Sequence, residues 1–203
     1  MEVPNCPIGF QTSQYLVKLE LRRYSERTFL PPLHCCPSLE TLVLDDMTKL
    51  KYVVEDFIFP CLKELRLTEL PMLKGWWKGT SPEVNHEVPV FRILSKLFIE
   101  DCPQLDSMPL FAYLDEGLVL DSTSWKPFQQ TMNKADHTSS SSSSSSSPLS
   151  DLRNLSIIGI EELNTNDVSE IKWERLARLQ FLRLDYLPNL ESLPDGLPSI
   201  TSL

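Results

Sequence analysis

Leu179-Gln180-Phe181-Leu182-Arg183-Leu184-Asp185-Tyr186-Leu187-Pro188-Asn189-Leu190 is the stretch whose reading decides the fold. Leucine stands at its positions one, four, six and twelve. Positions four and six lie two residues apart, so on a strand they point to the same side, and the residues beside and between them point to the other. Proline after position nine fixes φ and removes a backbone donor, which predicts an extended return or a short turn there and not a long helix.

The same signature recurs along the chain. Leu39, Leu42, Leu44 and Leu50 carry it, as do Leu62, Leu65, Leu67 and Leu73. It returns at Leu94, Leu97, Ile99 and Leu105, and at Leu152, Leu155, Ile157 and Leu163. An earlier copy has Leu16, Leu19 and Leu21, a degenerate one has Leu118 and Leu120, and a last one opens at Ile200 and Leu203. The copies begin at residues 16, 39, 62, 94, 115, 152, 179 and 200, in steps of 23, 23, 32, 21, 37, 27 and 21. Five of these seven steps fall in the 20–29-residue window of the leucine-rich repeat, and the other two mark insertions. The pattern predicts an α/β-type leucine-rich-repeat solenoid, with short parallel strands on a concave face and irregular or short-helical convex segments.

The physics of such a chain is cooperative. Each fully buried leucine stabilises by roughly 1.5–3 kcal/mol, but one copy has nothing to bury its leucines against. Stacked neighbours close a continuous core and pair each strand with the next. Position nine holds Met47, Leu70, Cys102, Ile160 and Leu187. Apolar residues there predict an irregular turn with few side-chain bonds to the backbone.

Two stretches interrupt the pattern. Lys74 to Arg92 contains Gly75-Trp76-Trp77-Lys78-Gly79, whose tryptophans are read as packing back onto the repeats before being read as a partner's anchor. Residues 125–148 contain nine consecutive serines, Ser139 to Ser147. A serine tract cannot bury apolar surface, so this segment is expected to be a disordered insertion. It divides the chain into a first block, 1–124, and a second, 149–203.

Composition narrows the function. The chain of 203 residues carries 28 acidic and 19 basic side chains, a net charge of −9. An acidic chain repels phosphate backbones, which argues against nucleic acid as the main partner. No apolar run approaches the ~20 residues of a membrane helix, and Met1 is not followed by a signal-peptide pattern, so a cytoplasmic location is expected. Five cysteines at positions 6, 35, 36, 61 and 102 form no disulfide framework and read as free thiols.

No phosphate loop, nucleophile elbow or paired metal-ligand spacing appears. His34-Cys35-Cys36 lacks the second ligand pair a zinc site needs. Asn154-Leu155-Ser156 matches a glycosylation acceptor by accident, since Leu155 is a core strand position. The chain therefore reads as a non-enzyme with no cofactor and no metal. Its candidate protein-binding residues are the outward strand positions: Glu64, Arg66, Phe98, Glu100, Phe181, Arg183 and Asp185. Aromatics beside charge on an exposed sheet suit a protein interface.

Three segments carry a resemblance. They are Phe59-Pro60-Cys61-Leu62-Lys63-Glu64-Leu65-Arg66-Leu67-Thr68-Glu69-Leu70-Pro71-Met72-Leu73-Lys74-Gly75-Trp76-Trp77, Leu97-Phe98-Ile99-Glu100-Asp101-Cys102-Pro103-Gln104-Leu105 and Leu187-Pro188-Asn189-Leu190-Glu191-Ser192-Leu193-Pro194-Asp195-Gly196-Leu197. They resemble the repeats of plant coiled-coil-type nucleotide-binding leucine-rich-repeat (NB-LRR) disease resistance proteins, and the likeness covers most of residues 16–203. It implies a repeat domain that senses pathogen effectors or guarded host proteins and restrains the receptor's own nucleotide-binding domain. The coiled-coil and nucleotide-binding regions are missing, so the chain looks like a C-terminal fragment or a truncated paralogue. The alternative class is a leucine-rich-repeat substrate adaptor of a ubiquitin ligase, which would carry an F-box-like helical segment upstream. A receptor ectodomain would carry paired capping cysteines, which are missing here.

Overall fold

In a computed structural model, which describes residues 14–24, 28, 30, 33, 36–54, 59–77, 93–106, 114–134 and 149–193, the alternating stretches become strands. In chain order these are β1 (Lys18–Arg22), β2 (Thr41–Asp45), β3 (Tyr52–Val54), β4 (Glu64–Thr68), β5 (Gly75–Trp77), β6 (Lys96–Glu100), β7 (Gly117–Asp121), β8 (Asn154–Ile158) and β9 (Phe181–Asp185). Between them lie two short helices, α1 (Lys126–Lys134) and α2 (Thr165–Ser169), and a 3-10 turn, Trp173–Arg175. The architecture is α/β, with few helices.

Seven strands form one parallel sheet in the order β1-β2-β4-β6-β7-β8-β9, and β3 pairs with β5 in a second. Each copy within the described residues supplies one strand of the large sheet, in chain order. The register never slips: Leu42 faces Leu65, Leu65 faces Leu97, Leu97 faces Leu118, Leu118 faces Leu155 and Leu155 faces Leu182. Positions four and six are buried in the five strands from β2 to β8 that carry them, as at Leu42, Leu44, Leu65 and Leu67, all 0% exposed. In the two outermost strands burial is looser. Leu19, Leu182 and Leu184 are only partly covered, and among the described residues each has a strand on one side only.

The strand exits follow a rule that the leucine pattern does not announce. Position eight of every copy within the described residues is left-handed: Arg23, Asp46, Glu69, Asp101, Ser122, Gly159 and Tyr186 have φ between +48° and +61°. That conformation costs an L-residue roughly 1–2 kcal/mol. What it gives in return is a bond to the next copy. The position-eight N–H donates to the position-seven carbonyl one strand on: Arg23 to Asp45 at 2.9 Å, Asp46 to Thr68 at 3.1 Å, Glu69 to Glu100 at 3.1 Å, Asp101 to Asp121 at 3.1 Å, Ser122 to Ile158 at 2.9 Å and Gly159 to Asp185 at 3.0 Å. The chain then turns. The N–H of position twelve reaches the carbonyl of position nine in five copies, as at Leu50–Met47 and Leu73–Leu70, both 3.1 Å.

The turn is thus regular, and the expected irregularity is corrected. The backbone closes the turn itself, and the apolar position-nine side chains go to the core, with Met47, Leu70 and Cys102 at 0% exposure. Side-chain bonds to the backbone do occur there. The Cys102 thiol donates to the Glu100 carbonyl at 3.3 Å, and Thr123, at the same position one copy later, donates to the Cys102 carbonyl at 2.9 Å.

A second correction concerns residues 125–134, which the serine-rich pattern places in a disordered insertion and the structure does not. Trp125 is buried, and α1 follows it with Phe128 and Met132, one turn apart, 0% and 1% exposed. Pro127 sits in the first turn, where its missing N–H costs nothing. Glu162, from the following copy, accepts the Trp125 N–H at 2.6 Å and the Ser124 hydroxyl at 3.2 Å. Arg175 donates to the Met132 carbonyl near the helix end at 2.6 Å. The helix is therefore fastened at both ends by the copy after it. Nor is the sheet divided at the insertion, since β7 pairs with β8 in unbroken register. The serine tract itself, and the last copy at Ile200 and Leu203, lie outside the described residues, as does the segment 78–92. Trp76 is 1% exposed and belongs to the core.

The strand-exit rule is testable by substitution. Glycine has no Cβ penalty at positive φ but weakens a strand interior. Glu69→Gly should be more stable than Glu69→Ala by about 0.5–1 kcal/mol. One residue earlier the order reverses, with Thr68→Gly less stable than Thr68→Ala by a similar amount. Urea unfolding of the four variants measures both differences, and the same order at both positions would contradict the left-handed exit.

Candidate functional site: the outer face of the sheet

Because strand side chains alternate, positions three, five and seven line up as rows across the outer face of the parallel sheet. All seven candidate residues stand in these rows. Glu64 and Arg66 are on β4, Phe98 and Glu100 on β6, and Phe181, Arg183 and Asp185 on β9. They form two groups and not one. Glu64, Arg66, Phe98 and Glu100 sit on neighbouring strands, where Arg66 faces Phe98 and Thr68 faces Glu100. The β9 trio lies beyond β7 and β8, three strand spacings or roughly 14 Å from β6.

The first group is built around Arg66. Its Nε donates to Glu64 Oε1 at 2.6 Å, and its guanidinium lies 4.0 Å from the centre of the Phe98 ring. A carboxylate on one side and a ring face on the other hold the arginine flat along the sheet. Val43 and Val119 stand in the same position-five row. They give this part of the face an apolar strip, with Val43 8% exposed. In the second group Arg183 pairs with Asp185 at 2.6 Å, beside a half-exposed Phe181. Exposed pairs of this kind contribute little to stability. They do fix which groups the surface presents.

The charges do not balance. Every base at positions three, five, seven and eight has an acid: Lys18 with Glu20, Arg22 with Glu20 and Asp45, Arg23 with Asp46, Arg66 with Glu64, Lys96 with Glu116, and Arg183 with Asp185. Among the described residues, Glu69, Glu100, Asp101 and Asp121 have no such cation. They cluster at the exits of β4, β6 and β7. The consequence registers at Glu100, whose carboxyl is raised above its ordinary value, first by burial and then by Asp121, Asp101, Glu69 and Asp45.

Asp121, Val43 and Val119 were missed in the sequence. Asp121 belongs to the degenerate copy, whose position one is Asp115 in place of leucine. Leu114, one residue earlier and 1% exposed, fills the core there. The signal that finds these residues is the row and not the copy, and rows need a known register.

Among the described residues, no group of three or more His, Cys, Asp or Glu side chains could hold a metal ion, and no helix is long and apolar enough to cross a membrane. His34 and Cys35 lie outside the described residues, and Cys36 is buried. Burial also pushes the Cys102 thiol up to about 12, so it stays protonated and acts as a small core residue. Comparison with known proteins finds no matching family model, no similar curated protein and no similar solved structure.

The raised Glu100 carboxyl has a signed consequence. A proton is held more tightly in the folded state than in the unfolded chain, so folding is favoured in acid and this contribution is lost as pH rises through the folded value. Neutralising the residue removes the repulsion. Glu100→Gln should raise the melting temperature at pH 7 by up to about 2 °C, the scale of a solvent-screened surface effect below about 1 kcal/mol. The gain should vanish in acid below the carboxylate range and shrink in high salt. A variant that melts lower than wild type at pH 7 would mean that Glu100 has a cation partner.

Proposed function

We propose that this chain is a non-catalytic protein-recognition scaffold, a leucine-rich-repeat solenoid whose concave sheet carries the partner. The observation that carries the reading is the outer face of the sheet. Seven parallel strands in unbroken register present rows of polar, charged and aromatic side chains over a core of leucines. A rigid, extended surface of that kind matches a protein better than a small molecule. In this reading the chain is the repeat region of a plant NB-LRR disease resistance protein, acting in the cytoplasm in defence against pathogen effectors. The phrases Cys102-Pro103-Gln104-Leu105 and Leu187-Pro188-Asn189-Leu190-Glu191-Ser192-Leu193-Pro194 support the family. The partner is then an effector, a guarded host protein or the receptor's own nucleotide-binding domain. A coding sequence upstream of Met1 with a phosphate loop in frame would support the assignment to that family.

The surface itself is tested by replacing Phe98, Phe181 and Arg183 with alanine together. All three lie on the outer face, so circular dichroism and the melting temperature should stay near wild type. Partner recognition by the chain in its receptor should fall at least about tenfold, the scale of losing one or two interface anchors. Recognition and autoinhibition both intact in a folded variant would contradict the reading.

A further inference from the structure

At the exits of β7, β8 and β9 the surface opens into a cleft of about 550 Å³ lined by Ser122, Gly159, Glu161, Tyr186, Leu187 and Pro188. Its origin is visible in the position-eight row. Four of the other copies put Arg23, Asp46, Glu69 or Asp101 at the strand exit, all longer or charged side chains. β7 and β8 end instead in Ser122 and Gly159, the two smallest residues of the row, while β9 ends in tyrosine. Two adjacent exits are cut down and the third is raised into a wall. Tyr186 is 79% exposed.

A carboxylate stands beside the floor, next to Gly159. The place where a side chain on Gly159 would begin lies 2.8 Å from Ser122 Oγ and 3.3 Å from Asp121 Oδ1. The glycine, at φ +61°, is what leaves room for that carboxylate. The Ser122 hydroxyl donates to Asp121 Oδ1 at 2.9 Å and holds the group in place. Among the described residues no cation pairs with Asp121. Glu161, in the wall, adds a second carboxylate. Leu187 and Pro188 add apolar surface beside the Tyr186 ring.

We infer that this cleft is a binding site for a cationic side chain, arginine or lysine, presented by a protein partner. The parts correspond to the parts of such a side chain. Leu187 and Pro188 cover its aliphatic stem, the Tyr186 ring faces the cation, and Asp121 and Glu161 neutralise it. The acids at the exits of β4 and β6 extend the same sign of potential along the edge, which draws a basic partner toward the cleft. The inference takes from the scaffold reading only that the cation arrives on a protein; the cleft's selectivity is measured apart from it.

The test titrates the isotope-labelled 203-residue chain with N-acetyl-arginine methylamide and, in parallel, with its neutral citrulline counterpart. Saturable amide shifts are expected at Ser122, Gly159, Glu161, Tyr186 and Leu187, with citrulline at least about tenfold weaker. Tyr186→Ala and Asp121→Asn should each abolish the saturable shifts, and Glu161→Gln, in an exposed turn, serves if Asp121→Asn does not fold. Equal binding of citrulline would overturn the inference. So would shifts spread evenly over Glu69, Glu100 and Asp101, or binding unchanged in both folded variants. Arginine binding that persists while the alanine triple variant keeps all partner recognition leaves the cleft standing and removes the scaffold reading alone.

Discussion

No copy of the leucine pattern can bury its own side chains, and every other feature of the molecule follows from that constraint. Leu65 and Leu67 are fully covered only because Leu42 and Leu44 lie on one side and Leu97 and Ile99 on the other. Hydrophobic burial supplies the drive but has no direction along the strands. Direction comes from the backbone. The ladder of position-eight N–H groups and position-seven carbonyls ties each strand exit to the next strand, and it exists only where the chain turns left-handed. Burial therefore accounts for association, and the strained exits account for register.

Register in turn makes the surface. Once position five of one strand lies beside position five of the next, Arg66 comes over Phe98 and the acids of successive exits come together. The same side chains in a slipped sheet would point into the core. The uncompensated charge at the middle exits is thus a product of the stacking and not of any single copy. A folded scaffold that spends stability on like charges at one edge has a surface whose cost is relieved by a basic partner. The cleft by Tyr186 continues the same edge, where two small residues interrupt the row.

Much of this was legible in the residues, for a reason that can be stated. Leucines two apart fix the inner face of a strand, and their recurrence fixes the order of strands, so all seven candidate residues fall at outward strand positions. Three things were hidden. The left-handed exits were hidden because only Gly159 among the seven is a glycine, and a ladder bond, not residue type, accompanies the conformation at Arg23 and Glu69. Helix α1 was hidden because its anchors, Glu162 and Arg175, come from the next copy. The separation of the β9 trio from β6 was hidden because the degenerate copy at Leu118 and Leu120 had to count as a full strand. In each case the missing information was a contact between copies, which a pattern within one copy cannot contain.

The central claim is that the strand exits, locked one to the next, set the register of the sheet. Amide hydrogen exchange on the native chain tests it directly, because protection reports which N–H groups are held. The account predicts slow exchange at Asp46, Glu69, Asp101, Ser122 and Gly159, and fast exchange at Tyr186, whose copy has no following strand among the described residues. Fast exchange at the five, or a Tyr186 amide as protected as they are, would contradict it.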